Sequence, residues 1–309
     1  MERTRSEIVN KPRIRHIDIA KAIGMMLIIT SHVWTTPELS ESYAFKEWDA
    51  VLNSFYVPLF FLLSGVFEPS SNDWMKYWRR LAKLGKFLVI FALFGFLSTG
   101  VVRGQWTLGA CLTGTVIWFL IVLMLITAMF GVIKLCKYSL LACCILGCVG
   151  YLLAINGHYY FYLGQSLLCI PFYAVGYKYK GFFKRADFNL KLFAASTIVW
   201  IVCMFCFYRA PQNISLNMVT QSLPSFYLSA FCGSIVVIEL CKLSSNKLIA
   251  YYGRNSIVPM MVQMAFIWIA ADIILADNML VYFLEAIVVS VVCGACIPLA
   301  RNKYYDIFK

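Results

Sequence analysis

The sequence predicts an all-α polytopic membrane bundle of about ten transmembrane helices, with both termini cytoplasmic. Three observations carry that prediction. Hydrophobic residues make up 61% of the 309-residue chain and charged residues 14%, whereas soluble domains are roughly half apolar and a quarter charged. Apolar runs long enough to cross about 30 Å of hydrocarbon recur along the whole chain, joined by short connectors. Lysine and arginine are concentrated in every second connector.

The first run, 17–34, follows a basic arm over 1–16 that carries Arg3, Arg5, Lys11, Arg13 and Arg15. It contains charge and lacks a small-residue cleavage pattern, so it is expected to remain as a span and not be removed as a signal peptide. The second run, 51–68, contains Pro58, which removes a backbone donor, and Ser64-Gly65, which permits a bend or a close helix contact. The third, 84–102, follows Lys76, Arg79, Arg80, Lys83 and Lys86. The fourth, 114–133, precedes Lys134 and Lys137, and the fifth and sixth, 139–155 and 161–177, precede Lys178, Lys180, Lys184, Arg185 and Lys191. The seventh and eighth, 190–208 and 223–240, lead to Lys242, Lys247 and Arg254, and the ninth and tenth, 257–276 and 279–300, lead to a 301–309 tail with Arg301, Lys303 and Lys309.

Twenty-three of the 27 cations therefore fall on one side, against Lys46, Arg103 and Arg209 on the other, with Lys21 inside the first run. The basic side faces the cytoplasm by the positive-inside rule, and 17–300 is expected to form one transmembrane unit. The same distribution explains the net charge of +12 without nucleic acid. Twelve cysteines include the pairs Cys203/Cys206 and Cys293/Cys296, but both pairs lie in apolar runs without a nearby histidine. They read as small packing residues, and no metal is expected.

The first run carries the sharpest chemical signal. Asp18, Lys21 and His32 are polar residues in an otherwise apolar stretch, and a charge at the centre of a span costs roughly 2.5 to 3.5 kcal/mol. Lys21 and His32 are eleven residues apart. At 100° per residue that is about 20° beyond three turns, so both lie on one face, about 16 Å apart along the axis. Asp18 falls within about 40° of His32 on the same face. The imidazole is the side chain best suited to take a proton from a hydroxyl near neutral pH. The plainer readings are a helix-end histidine satisfied by water or a backbone carbonyl, and an i,i+3 ion pair between Asp18 and Lys21.

Arg79-Arg80-Leu81-Ala82-Lys83 suits a polyanion clamp, and topology alone demands such a cluster equally well. Glu239 and Asp272 lie near the ends of runs, where solvation or pairing is expected, whereas Glu285 falls within the tenth run and lies closer to its outer side. Trp34, Trp48, Trp74 and Trp78 read as interfacial anchors.

Taken together, these residues resemble acyltransferase family three, integral-membrane O-acyltransferases of bacterial surface carbohydrates. The most specific match is a basic residue, ten intervening residues and a histidine, here Lys21 through His32, preceded by Asp18. The lysine form is most similar to the fucose acetylase-like branch. Val57-Pro58-Leu59-Phe60-Phe61, Ser64-Gly65, Arg80-x-x-Lys83, Trp118-Phe119-Leu120 and Tyr252-Gly253-Arg254-Asn255-Ser256 are further matches. Tyr56-Val57 and Gln263 stand where that branch has histidines.

The resemblance implies acyl transfer, with acetyl-CoA as donor and a lipid-linked or surface glycan as acceptor. Lys21, Arg80 and Lys83 are then expected to hold the CoA phosphates, with Trp118 beside the donor and Asp18 orienting Lys21. His32 would act as general base or as acyl carrier, the pantetheine arm reaching it along the first helix. Ser64, Asn255 and Trp118 are candidates to stabilise the oxyanion, and Glu285 a candidate acceptor contact. The main alternative is a transporter or flippase of a lipid-linked sugar, although the repeats expected of such proteins are not evident in the sequence.

Overall fold

The computed structural model describes residues 13–70, 73–158, 160–207 and 213–308. Residues 1–12 of the basic arm, with Arg3, Arg5 and Lys11, lie outside the described residues, as do Arg209 and Lys309. In chain order the helices are α1 (Arg15–His32), α2 (Pro37–Glu41), α3 (Tyr43–Val66), α4 (Trp74–Arg103), α5 (Leu108–Gly114), α6 (Ile117–Ile133) and α7 (Ser139–Ile155). They continue with α8 (Leu163–Lys178), α9 (Lys180–Phe183), α10 (Leu190–Phe207), α11 (Leu223–Lys242), α12 (Lys247–Arg254), α13 (Ile257–Ile273) and α14 (Met279–Phe308).

Each of the ten apolar runs falls on a helix, but two helices begin well before the hydropathy does. Ser42 Oγ accepts the Phe45 amide at 3.3 Å and starts α3 at Tyr43, while Asp73 Oδ1 accepts the Lys76 amide at 3.0 Å and starts α4 at Trp74. Capping side chains fix where a helix begins, and hydropathy locates only its apolar part. At the far end of α4, Gly104 adopts φ +68°, and the amides of Gly104 and Gln105 close on the carbonyls of Gly100 and Thr99.

The protein is a multi-pass membrane protein. Among the described residues, helices α3, α4, α11 and the 279–300 part of α14 are long and apolar enough to cross a bilayer, and α12 and α13, bent by 85° at their junction, reach that length and hydropathy only together. Helices α6, α7 and α10 are apolar and shorter. The rows Val89, Leu93, Leu97 and Val101 on α4, and Leu284, Ile287, Val288 and Val291 on α14, are exposed and apolar, as contact with hydrocarbon requires.

Helix α3 is the central post, buried almost continuously from Leu52 to Leu63 and packed on α1, α8 and α11. Its crossing with α8 is close because both helices present glycine. A Cβ on Gly65 would collide with the Tyr173 carbonyl, and one on Gly176 with the Leu62 carbonyl.

Just past α3, the Glu68 side chain is fully buried and gathers three helices. Lys134 Nζ, at the end of α6, lies 2.6 Å from Oε1; the Tyr173 hydroxyl of α8 donates to Oε2 at 2.6 Å; and Arg80 of α4 reaches Oε2 at 3.5 Å. Arg80 also donates to the Ser64 carbonyl at 2.9 Å. A second buried pair, Glu239–Lys242 at 2.6 Å, receives the Asn189 amide at 2.9 Å and anchors the start of α10. At the opposite end Arg103 pairs with Asp272 at 3.3 Å and stacks on Trp34. Both acids near run ends are thus paired.

Trp34, Trp74 and Trp78 are exposed as interfacial anchors require, whereas Trp48 packs edge-on to Phe283, 5.1 Å between centroids, and serves the interior. All twelve cysteines are free thiols, with Cys203 and Cys293 buried.

Removing one partner of a buried ion cluster leaves the others charged and unpaired. Glu68→Ala is therefore expected to cost about 3 to 5 kcal/mol. A large drop in the thermal midpoint of the detergent-solubilised protein checks this, and an unchanged midpoint contradicts it.

Candidate functional site

Of the cavities beside α1, two hold the predicted residues Asp18, Lys21 and His32, one near each end of the helix. The larger, about 810 Å³, opens at the lysine-rich end of the bundle and is lined by Arg13, Asp18, Lys21, Phe67, Glu68, Asp73, Lys76, Lys180, Lys184 and Arg254 among others. Six cations thus face three carboxylates. Asp73 is engaged by Lys76 at 2.5 Å and Glu68 by its buried cluster, which leaves the remaining five cations opposite Asp18. The Lys21 ammonium lies 4.5 Å from the centroid of the Phe67 ring and that of Lys184 lies 5.7 Å from it, so one aromatic ring orders two cations. Arg254 reaches the cavity because α12 lies directly on α1: a Cβ on Gly253 would collide with the Asp18 carbonyl. The Tyr252-Gly253-Arg254 sequence is thereby a contact point followed by a cation.

The smaller cavity, about 200 Å³, surrounds His32 and is lined by Ser31, Asp49, Asn53, Tyr56, Trp118, Asn213, Ser215, Gln263 and apolar neighbours. His32 Nδ1 is 2.6 Å from the Ile28 carbonyl oxygen, four residues back on α1. A carbonyl oxygen can only accept, so Nδ1 carries the proton, and Nε2 of the neutral ring keeps its lone pair. Asn53 donates to Asp49 Oδ1 at 2.8 Å, and Tyr56 donates to Asn53 Oδ1 at 3.2 Å, which ties the α3 side of the cavity into one row. Asn213 and Ser215 come from the connector between α10 and α11, held down by Gln165 Nε2 donating to the Ser215 carbonyl at 3.2 Å.

The structure brings Asp18 and Lys21 to one cavity and His32 and Trp118 to the other. Trp118 stands beside the imidazole, at the opposite end of α1 from Lys21. Arg80, expected at the phosphates, is taken up by Glu68 and Ser64 behind the basic cavity. Lys83 lies over Phe87, Ser64 sits about 12 Å along α3 from Tyr56, and Asn255 spends its amide on the Tyr251 carbonyl at 2.7 Å; none of the three lines either cavity. Glu285 also lines neither, and its buried oxygens have no hydrogen-bond partner among the described residues.

The two cavities share no lining residue. Between them Phe60 and Leu59 of α3 rest on Gly24 of α1, so the continuous passage expected along the first helix is filled by side chains.

The sequence profile of the acyltransferase domain of family three matches residues 14–298, nearly the full chain. The chain belongs to acyltransferase family three. Among curated proteins and solved structures, none matches the chain significantly. As a member of acyltransferase family three it is a membrane acyltransferase, and the matched region contains the lining of both cavities except Arg13. Tyr56, Val57 and Gln263 all line the cavity of His32.

Sequence reasoning missed Glu68, Phe67, Lys184, Asp49, Asn53 and Asn213. A lone acid directly after a buried apolar run, at the mouth that collects the cations, was the available signal for Glu68.

Because Arg80 serves the Glu68 cluster, Arg80→Ala is expected to lower the thermal midpoint while leaving the donor KM of the folded fraction within about twofold. A large rise in donor KM at unchanged stability would return Arg80 to the phosphate clamp.

Proposed function

We infer that this acyltransferase takes an acyl group, acetyl in the simplest case, from cytoplasmic acyl-CoA and delivers it to a hydroxyl of a bacterial surface carbohydrate. The observation that carries this reading is the His32 imidazole, whose Nδ1 is tied to the Ile28 carbonyl at 2.6 Å in a polar cavity. Its Nε2 is the free base that such a transfer needs.

The basic cavity suits the donor's phosphates. Lys21, Lys184 and Arg254, supported by Arg13 and Lys180, surround a space of about 810 Å³, large enough for a nucleotide head. The pantetheine arm then passes Gly24, displacing the Phe60 ring that rests on it, and brings the thioester to His32. Nε2 accepts the hydroxyl proton as the acceptor oxygen bonds to the thioester carbon. The tetrahedral intermediate collapses with cleavage of the C–S bond, and the leaving thiolate takes the proton back from the imidazolium. Asp18 sets the position of Lys21 from the preceding turn.

Membrane vesicles supplied with radiolabelled acetyl-CoA and a surface-glycan extract test the reading. Wild type is expected to label the glycan, His32→Ala to lose about a hundredfold or more at normal expression, and Lys21→Ala to raise the donor KM more than it lowers kcat. Wild-type labelling by His32→Ala rules out the assignment.

A further inference from the structure

Gln263 lies on α13, is 0% exposed, and its amide nitrogen and oxygen are both buried without a hydrogen-bond partner. It lines the His32 cavity. A buried amide with neither atom satisfied is costly, and an apolar side chain of similar length would fill the same space without that cost. Several other polar side chains around the cavity are engaged within the chain. Asn53 donates to Asp49, Tyr56 to Asn53, Ser31 to the Ile28 carbonyl, and Asn213 Oδ1 accepts from Ser215 at 2.6 Å. Among the described residues, Gln263 is the cavity's buried side chain with both polar atoms open. Nothing among the described residues supplies its missing partner.

We propose that Gln263 is a specificity residue that reads the acceptor, its amide bonding the hydroxyl adjacent to the one His32 deprotonates on an uncharged sugar ring. This deepens the carbohydrate reading above and rests on it. Three features define the ligand. A glutamine amide offers a donor and an acceptor side by side, which a hydroxyl satisfies because it both donates and accepts. Among the described residues no lysine or arginine lines the cavity, while the Asp49 carboxylate does, so a uronate or other carboxylated sugar would meet an acid there. The volume of about 200 Å³ holds one ring, with the Trp118 indole as an apolar wall.

The test uses the full-length protein in membranes with acetyl-CoA and methyl glycosides, comparing neutral hexosides with the matching uronides. Gln263→Met is the near-isosteric variant. Wild type is expected to prefer the neutral glycosides. Gln263→Met is expected to raise the acceptor KM at least about tenfold, leave the donor KM unchanged, and hold or raise the ligand-free thermal midpoint. A deoxy analogue lacking the neighbouring hydroxyl should be a poorer acceptor for wild type and no poorer than its parent for Gln263→Met. An unchanged acceptor KM, a preference for uronides, or a variant that loses thermal stability or fails to fold overturns the assignment, the last because it reveals a structural bond. If wild type labels neither glycan nor glycoside, the carbohydrate reading fails instead.

Discussion

A single carboxylate with no access to water sets the arrangement at the basic end of the bundle. Glu68 stands at the end of the central helix, and three chemically different partners, an ammonium, a guanidinium and a phenol, converge on its two oxygens from α6, α4 and α8. Such a cluster is stable only when every member is present, because each charge is solvated by the others. The close α3–α8 crossing at Gly65 and Gly176 carries Tyr173 to the carboxylate. With Arg80 and Lys134 neutralising Glu68, the cations left facing the basic cavity are those of α1, the α8–α9 region and α12. The structural ion cluster and the cavity-facing cations are thus separate sets of residues.

Much of the fold is legible in the sequence, since each apolar run corresponds to a helix and the glycines of Ser64-Gly65 and Tyr252-Gly253 mark real contacts. The boundaries of α3 and α4 are not, because Ser42 and Asp73 extend these helices into polar sequence by capping them. The site divides in the same way. Residues on one helix, Asp18, Lys21 and His32, are placed by helical periodicity alone, and they do lie beside the cavities. Arg80 and Ser64 are not, because their partners, Glu68 and the backbone around α3, are neighbours only in three dimensions. Gln263 and Asn213 reach His32 from helices and connectors more than 180 residues away in sequence, a proximity that no local pattern encodes.

The two cavities give α1 its significance. One helix presents a cation to a basic chamber and an imidazole to a smaller polar one, about 16 Å apart by helical rise. Gly24 is the point between them where α1 has no side chain and α3 lends its Phe60 ring to fill the gap. The Phe60 ring packed against this glycine separates the two chambers.

A structure with a non-hydrolysable acyl-CoA thioether bound tests this account most directly. The account predicts phosphates among Lys21, Lys184 and Arg254, a displaced Phe60 ring, and the acyl carbon beside Nε2 of His32. A donor whose arm lies away from Gly24, with the acyl group remote from His32, would contradict it.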